Sequence, residues 1–389
     1  MPVQKRRGPE RFRSLLLIAG FAVALGAVSC QLDEGGLPGN GLLPDAGMSG
    51  AGGADGTGGV AGTGGVAGTS GSGGAVGGTG GVEMADGGTG GDGADAAADA
   101  PMAMDAPAEE ITAPLCAHCD GYGTPHAIGR TPAVAKELSG LAASRMHPGI
   151  LYGHNDSGDS ARLFALDQTA ALNTEIDLTG ATNVDWEDID MGPCPAGSCI
   201  YVGDIGDNDS IRADYVIYRV VEPPTLPGGG ANLAVSFERF PFVYPDGSHN
   251  AETLLVHPQT GRVFVVTKDK TAVSTVYELP LPLQADTMVT LVKVGMLSVP
   301  AAAGPVTGGA FHPCGDRILI RSKTTLSELT RPAGGELVSV FFAPPVAVPF
   351  PVEPQGEAVD YSPDGLGYYT GSEIGSASVE PDISYVACH

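Results

Sequence analysis

The sequence predicts an all-β fold, most simply a single β-propeller of five blades. Three observations predict it. A pattern of apolar strand, turn and second apolar strand recurs at intervals of about fifty residues, the spacing of radially repeated β folds. The clearest turns read His-Pro-x-x-Gly or Ser-Pro-Asp-Gly, and each second strand ends in polar residues. The repeats fill roughly residues 112–389, enough chain for one substantial core.

Each copy of the repeat supplies the two inner strands of a blade. The five copies read GLAASRMHPGILYGHND, EDIDMGPCPAGSCIYVGDIGDN, AETLLVHPQTGRVFVVTKD, TGGAFHPCGDRILIRSK and GEAVDYSPDGLGYYTGSE. Outer strands are predicted behind each copy, for example ARLFALD and LNTEIDL behind the first, LAVSFERFPFVYP behind the second and a strand near ELVSVFFA behind the fourth.

The fifth blade lacks one strand, because only DISYVACH follows its repeat, whereas PHAIGR precedes the first copy. We therefore expect the N- and C-terminal strands to share this blade and close the ring, which removes exposed sheet edges. The alternatives are a sixth, degenerate blade and a β-sandwich or irregular barrel. A sandwich or barrel does not explain the fixed order of turn and strand.

Residues 1–30 resemble a bacterial export signal. Basic residues precede an apolar stretch, Ser14 to Val28, that is too short for a comfortable membrane span. The stretch ends in Ala27-Val28-Ser29-Cys30, which is similar to a lipobox with Cys30 as the lipid acceptor. We expect an exported lipoprotein of the cell envelope, or a secreted protein if an ordinary signal is cleaved.

Residues 31–111 are predicted to be a disordered linker, since Gly, Ala, Thr, Ser and Asp dominate them. A Gly-rich coil of about 80 residues spans ~50 Å on average, which would hold the domain clear of a membrane. We therefore expect membrane contact through a lipid anchor only.

The formal net charge is −25. An acidic exported protein is a poor candidate for nucleic-acid binding, which needs a basic surface. This charge suits a cation, a partner protein, a glycan or a small ligand. We expect a monomer.

Charged residues recur where first strands begin and second strands end, and these positions converge on one face of a propeller. The carboxylates are Glu187, Glu252, Glu357, Asp156, Asp204, Asp207, Asp269 and Glu373, with Lys268 and Arg321 among them. Ca²⁺ takes six to eight oxygen ligands, so Glu187, Glu252, Glu357, Asp156, Asp204 and Asp269 are candidate calcium ligands. Lys268, Arg321 and Glu373 are candidate ligand-binding residues. The other interpretation, equally open, is that these side chains form turns and make hydrogen bonds to backbone groups of neighbouring blades.

Export favours disulfide bonds among the six cysteines after Cys30. Cys194 and Cys199 flank a turn and should pair. Cys116 or Cys119 should reach Cys388, because the chain ends meet in the shared blade. Cys314 could take the leftover cysteine or stay free. The rival interpretation is a zinc site formed by Cys116, Cys119, Cys388 and His389.

Familiar catalytic signatures, such as a Gly-x-Ser-x-Gly elbow, a Walker A loop or His-Glu-x-x-His, are missing from the folded region. His147, His257 and His312 fall in the repeated turns and are predicted to stabilise them. Trp186 is predicted to be a core residue between blades.

The strings GLAAS, HNDSGD, RLFALD, DWEDI, YVGDIGDN and GEAVDYSPDG resemble a group of uncharacterised exported bacterial propeller proteins over about residues 125–389. More distantly the chain is similar to phytase-like and NHL or TolB-like propellers. The phytase-like resemblance implies calcium-dependent hydrolysis of phosphate esters, with carboxylates at Glu187, Glu252 and Glu357 and cations at Lys268 and Arg321. Two functions therefore remain: a tethered binding module with a carboxylate-lined face, and a calcium-dependent hydrolase of phosphate esters or lactones.

Overall fold

Five antiparallel sheets surround a central channel, and the first strand of each repeat is the innermost strand of its sheet. This computed structural model describes residues 117–300 and 303–389. The innermost strands of blades 1 to 5 are β2 (Leu138–Ala143), β6 (Trp186–Cys194), β11 (Ala251–Val256), β16 (Val306–Phe311) and β20 (Gln355–Tyr361). The second strands are β3 (Leu151–Asn155), β7 (Gly197–Asp204), β12 (Val263–Thr267), β17 (Arg317–Ser322) and β21 (Gly367–Glu373).

The outer half of each blade follows the same order. The third strands are β4 (Arg162–Leu166), β8 (Tyr215–Val221), β13 (Val273–Glu278), β18 (Leu326–Thr330) and β22 (Asp382–Ala387). The outer strands are β5 (Leu172–Leu178), β10 (Glu238–Val243), β15 (Val292–Ser298), β19 (Val346–Ala347) and β1 (His126–Arg130). A short 3₁₀ helix, Ala133–Ala135, lies between β1 and β2.

The ring closes through the chain ends, as the sequence predicts. Strand β1 pairs antiparallel with β22, with His126 opposite Tyr385, so blade 5 combines both ends of the folded region. Each innermost strand contacts the next in the order β2, β6, β11, β16 and β20, and β20 contacts β2. The prediction of five blades is therefore confirmed.

Apolar side chains fill the space between neighbouring blades, which is why innermost strands are buried on both faces. Trp186 is fully buried at the junction of blades 1 and 2, in one cluster with Tyr152 of blade 1 and Tyr218 of blade 2. Its indole Nε1 donates to the carbonyl of Thr182 at 3.1 Å. The predicted role of Trp186 as a core residue between blades is confirmed.

Three connections between third and outer strands reach back to the preceding blade. Strand β9 (Ala231–Val235) of the blade 2 connection pairs parallel with β5 of blade 1. Strand β14 (Val289–Thr290) of the blade 3 connection pairs parallel with β10 of blade 2. In blade 4 the 3₁₀ helix Leu337–Phe342 contacts β15 of blade 3.

Two predicted outer strands are wrong in detail. The segment near ELVSVFFA is the 3₁₀ helix Leu337–Phe342, because Leu337, Val340 and Phe341 lie on one helical face and are buried between blades 3 and 4. The outer strand of blade 4 is instead the short β19. The segment LAVSFERFPFVYP, predicted to be one strand, forms β9 and β10, which belong to different sheets.

Buried aspartates and turn histidines join blades to each other. Asp188 and Asp190 of β6 accept hydrogen bonds from the backbone N–H groups of Leu254 (2.9 Å) and Val256 (2.6 Å) in blade 3. Asp360 of β20 accepts one from the N–H of Ala143 in blade 1 (2.6 Å).

Each turn histidine hydrogen-bonds to a backbone carbonyl of the following blade. His147 Nε2 lies 2.7 Å from the carbonyl of Pro223, His257 Nε2 lies 3.1 Å from that of Gly315, and His312 Nε2 lies 3.1 Å from that of Gly365. These contacts fit the predicted stabilising role of the turn histidines.

Two disulfide bonds connect described cysteines. Cys194 and Cys199 pair across their turn, as predicted, with Cα atoms 5.9 Å apart. Cys119 is the cysteine that reaches Cys388, with Cα atoms 5.2 Å apart, so these two sulfurs are not free thiolates for zinc. Cys314 is also disulfide-bonded.

Among the described residues no helix is long and apolar enough to cross a membrane. The predicted export signal, Cys30, the whole predicted linker (31–111) and Cys116 lie outside the described residues.

Candidate functional site

A bulge at the same position of every innermost strand turns one side chain toward the channel. In each pairing of first and second strands the register shifts across one residue. A β-bulge of this kind re-aims the extra side chain, and bulges are common beside functional sites. The bulged residues of blades 1 to 5 are Ser139, Glu187, Glu252, Thr307 and Glu357. The three glutamates of the sequence prediction therefore occupy equivalent positions.

The residues that directly follow a second strand, or end it, lie beside this ring. In all five blades this residue is charged, namely Asp156, Asp204, Lys268, Lys323 and Glu373. We call this end of the channel, where innermost strands begin and second strands end, the channel mouth.

Three carboxylates meet at the channel mouth between blades 1 and 2. Oxygens of Asp156, Asp185 and Glu187 all lie within 4.8 Å of one another. Glu187 is only 3% exposed, and its carboxylate has no hydrogen-bond or ion-pair partner among the described residues. A buried ion without a partner is strongly disfavoured. In this carboxylate trio of Asp156, Asp185 and Glu187, burial and like charge therefore favour either a bound proton or a bound cation.

Gly206 lets the chain approach the carboxylate trio closely. A Cβ atom at this position would lie 2.2 Å from Glu187 Oε1 and 2.4 Å from Asp185 Oδ2. The backbone N–H of Gly206 donates to the carbonyl of Asp185 at 3.1 Å, which fixes the loop against the trio. A side chain at residue 206 would have to displace at least one of the two carboxylates.

The remaining glutamates of the channel mouth have partners. Lys268 Nζ forms an ion pair with Glu252. Lys323 Nζ lies 3.8 Å from Glu357 Oε1. The amide of Gln355 donates to both Glu357 and Glu373. Of the four glutamates at the channel mouth, Glu187 is therefore the one without a described hydrogen-bond or ion-pair partner.

Burial and mutual repulsion raise the pKa values of these acids. Burial, then the charges of Glu252 and Asp156, raises the pKa of Glu187 well above its usual range. Burial, then Asp156, raises the pKa of Asp185 to about 6. Burial, opposed by Lys268 and assisted by Glu357, raises the pKa of Glu252 to about 7. Burial and Glu357 raise the pKa of Glu373 to about 9.

Two of the predicted calcium ligands, Asp204 and Asp269, have other partners. Asp204 pairs with Arg212 at 2.8 Å and accepts the N–H groups of Val184 and Asp185, which shapes the loop before β6. Asp269 accepts the hydroxyl of Thr267 at 2.7 Å, to one side of the trio.

Arg321, predicted to bind ligand, is fully buried in an ion pair with Glu353. Its guanidinium lies against Gly356, at the contact between blades 4 and 5. The structure therefore does not place Arg321 with the other predicted residues.

Sequence reasoning missed several residues of the channel mouth: Ser139, Asp185, Thr307, Lys323 and Gln355. Aligning the repeats on their second strands would have found Lys323, because it follows β17 as Lys268 follows β12. Ser139 and Thr307 escaped because hydroxyls do not stand out in a search for carboxylates. Asp185 lies in the loop before β6, which is not part of the repeated pattern, so the repeat could not identify it.

The carboxylate trio fits a divalent cation. Calcium–oxygen distances are about 2.3–2.6 Å, so one ion can reach oxygens that are up to ~4.8 Å apart. The unpartnered, buried Glu187 and the close backbone at Gly206 agree with such a use. Three carboxylates supply only part of the six to eight oxygens that Ca²⁺ takes, which leaves positions for water or a ligand.

The fold and the channel mouth define the class of protein: a five-bladed β-propeller with a carboxylate-lined channel. No protein-family model matches the sequence, and no curated protein matches it. Among solved structures, the chain is similar in fold to a gluconolactonase from Xanthomonas campestris, with 12% identity, a TM-score of 0.37, and 68% of this chain and 89% of that chain covered.

A chain of the mitotic checkpoint complex is similar at 12% identity and a TM-score of 0.33, over 65% of this chain and 64% of that chain, which is less than two thirds of its length. Both likenesses concern the fold alone.

Proposed function

We propose that this protein is a calcium-dependent binding module that presents the channel mouth to a ligand. The observation that carries the proposal is Glu187, a 3% exposed carboxylate without a partner among the described residues, beside Asp156 and Asp185. A bound cation would neutralise this repulsion and hold a ligand oxygen at a remaining coordination position. Lys268 and Lys323 flank the ring and could orient an anionic or polar group.

Calcium titration of the folded domain tests the proposal. At a free concentration of 100 times Kd, an ion that binds only the folded state stabilises it by about 2.7 kcal/mol. For a domain of this size we expect a rise in Tm of roughly 5–10 °C. Glu187→Gln should abolish both the heat of binding and the Tm rise.

Glu336→Gln is the matched control, because Glu336 is an exposed carboxylate of blade 4 in the loop that follows β18. It should respond to calcium like the wild type. A wild-type protein whose Tm is the same in calcium and in chelator would refute the proposal.

A calcium-dependent hydrolase of phosphate esters or lactones is the second candidate. It is favoured by Glu252, whose pKa is raised to about 7 by burial even though Lys268 opposes the shift. A carboxyl group that titrates near neutral pH suits general acid–base catalysis. Turnover of a phosphate-ester or lactone panel that needs calcium and is lost in Glu252→Gln would establish the enzyme.

We also propose that Cys30 carries a lipid that anchors the protein to the cell envelope. The proposal rests on the sequence of residues 1–30, which lie outside the described residues. Radiolabelled palmitate should be incorporated into the wild type, and Cys30→Ser should remove the label and shift the protein from the membrane to the soluble fraction. Equal distribution of both proteins would contradict the anchor.

A further inference from the structure

A cavity of about 510 Å³ opens beside the channel mouth, between blades 2 and 3. Its volume lies within the range of about 300–1,000 Å³ that is common for small-molecule sites. Four short segments line it, after β7, before β11, after β12 and before β16. Its lining residues are Asn208, Asp209, Ser210, His249, Asn250, Lys268, Asp269, Lys270 and Pro305.

The walls of this side cavity are held in place by hydrogen bonds. Asp207 accepts the backbone N–H groups of Ile211 (2.9 Å) and Arg212 (2.8 Å) and the hydroxyl of Tyr215 (2.7 Å). Asn250 joins the two sides, because its Oδ1 accepts the N–H of Asp207 at 2.6 Å and its Nδ2 donates to Asn208 Oδ1 at 3.2 Å. The cavity is therefore formed before any ligand arrives, which reduces the entropy lost on binding.

The lining chemistry matches a polyhydroxylated ligand. Amide, carboxylate, hydroxyl, ammonium and imidazole groups make up almost the whole wall, with Pro305 as the exception. Each sugar hydroxyl can donate and accept hydrogen bonds, and such side chains offer both functions. A larger groove of about 650 Å³ on another part of the ring is lined by Leu281, Pro282 and Leu283 among others and lacks this character.

The charges of the side cavity favour one negative group on that ligand. Lys270 is exposed and has no ion-pair partner among the described residues. Lys268 is already paired with Glu252. Asp209 and Asp269 also line the cavity, so a doubly charged phosphate would meet repulsion, whereas a carboxylate needs only one cation.

We propose that the side cavity binds an acidic saccharide, a sugar unit that carries a carboxylate, with its acid group on Lys270 and its hydroxyls on Asn208, Asp209 and Asn250. This assignment rests on the proposed binding function of the channel mouth, because it names the ligand class for the same face. Lys268 lines both regions, so a saccharide in the cavity would extend toward the carboxylate trio.

Calorimetric titration of the folded domain with galacturonate, a sugar unit that carries a single carboxylate, tests the assignment. The titration is made in chelator, so that complexes of calcium with the sugar do not contribute. We expect galacturonate to bind, and galactose and glucose 6-phosphate to bind at least tenfold more weakly. Lys270→Ala should weaken galacturonate binding about tenfold, the loss of one charge-assisted hydrogen bond. Lys270→Glu should abolish it.

Lys136→Ala is the matched control, since Lys136 is an exposed lysine of blade 1 that pairs only with Glu137, at 3.6 Å. It should bind as the wild type does. Absence of galacturonate binding, equal binding of galactose, or unchanged affinity in both Lys270 variants would overturn the assignment. Glu187→Gln separates the two proposals, because it should lose calcium but keep the saccharide.

Discussion

At the scale of single residues, the carboxylate trio combines burial with like charge. Folded proteins usually pair buried charges or neutralise them. Glu252 and Glu357 have a lysine each, whereas Glu187 has neighbouring acids and no described donor. Calcium binding should therefore depend on the trio, and the pH dependence of stability on the buried acids of the channel mouth as a whole.

The raised pKa values predict a loss of stability at alkaline pH. Glu252 and Glu373, with pKa values of about 7 and about 9, hold protons that the unfolded chain releases near pH ~4.3. Their contribution to stability is therefore fullest below that pH and declines as the pH rises through 7 to 9. In chelator we expect the free energy of unfolding to fall by several kcal/mol between pH 5 and 9, because each unit of pKa shift is worth about 1.4 kcal/mol.

Urea unfolding at pH 5, 7 and 9 measures this decline. Saturating calcium should reduce it, because the bound ion favours the ionised carboxylates. A free energy of unfolding that increases with pH in chelator would contradict the pKa shifts.

Gly206→Ala should weaken calcium binding without unfolding the domain. The added methyl would sit 2.2 Å from Glu187 Oε1, so a carboxylate of the trio must move. We expect calcium affinity, measured by calorimetry, to drop at least tenfold. Gly123→Ala is the control, because its Cβ would be 3.4 Å from the nearest atom, a carbonyl of blade 5, and it should bind calcium normally.

At the scale of strands, side chains carry much of the hydrogen bonding between blades. Innermost strands of neighbouring blades cannot pair as one sheet, so Asp188, Asp190 and Asp360 satisfy backbone N–H groups across the gap. One set of acids joins blades, and another set lines the channel mouth.

Asp188→Ala should destabilise the junction of blades 2 and 3. It leaves the buried N–H groups of Ile189 and Leu254 without this acceptor, at about 1–3 kcal/mol for each unsatisfied group. Asp188→Asn keeps an acceptor oxygen and should lose clearly less stability in urea unfolding. Equal losses in the two variants would argue against the hydrogen bonds as the cause.

The disulfide that closes blade 5 should matter more than the disulfide in the turn. Cys119 and Cys388 are 269 residues apart, whereas Cys194 and Cys199 are 5 apart, and a longer closed loop constrains the unfolded chain more. Replacing Cys119 and Cys388 by serine should lower Tm by roughly 5–15 °C. The Cys194 and Cys199 double variant should lose less, and the reverse order would contradict this reasoning.

At the scale of the whole molecule, the sequence repeat predicted those features of the fold that recur in every blade. Blade number, ring closure by β1 and β22 and the equivalence of Glu187, Glu252 and Glu357 follow from positions that recur in each copy. The connections between blades do not recur, so β9, β14 and the helix Leu337–Phe342 were unforeseen. Arg321 was misplaced for a related reason: its position in the repeat is known, but its burial depends on Glu353 and Gly356, which lie outside that copy.

The connections that reach back make the five junctions of the ring unequal. Strand β9, strand β14 and the helix Leu337–Phe342 reinforce the three junctions from blade 1 to blade 4 at the rim, and the described residues provide no such element between blades 5 and 1. Local opening of the ring should therefore occur most often where β20 contacts β2. Among the junctions between blades, amide hydrogen exchange should be fastest there. Asp156 belongs to blade 1 and Glu373 to blade 5, so both sides of this junction contribute an acidic side chain to the channel mouth.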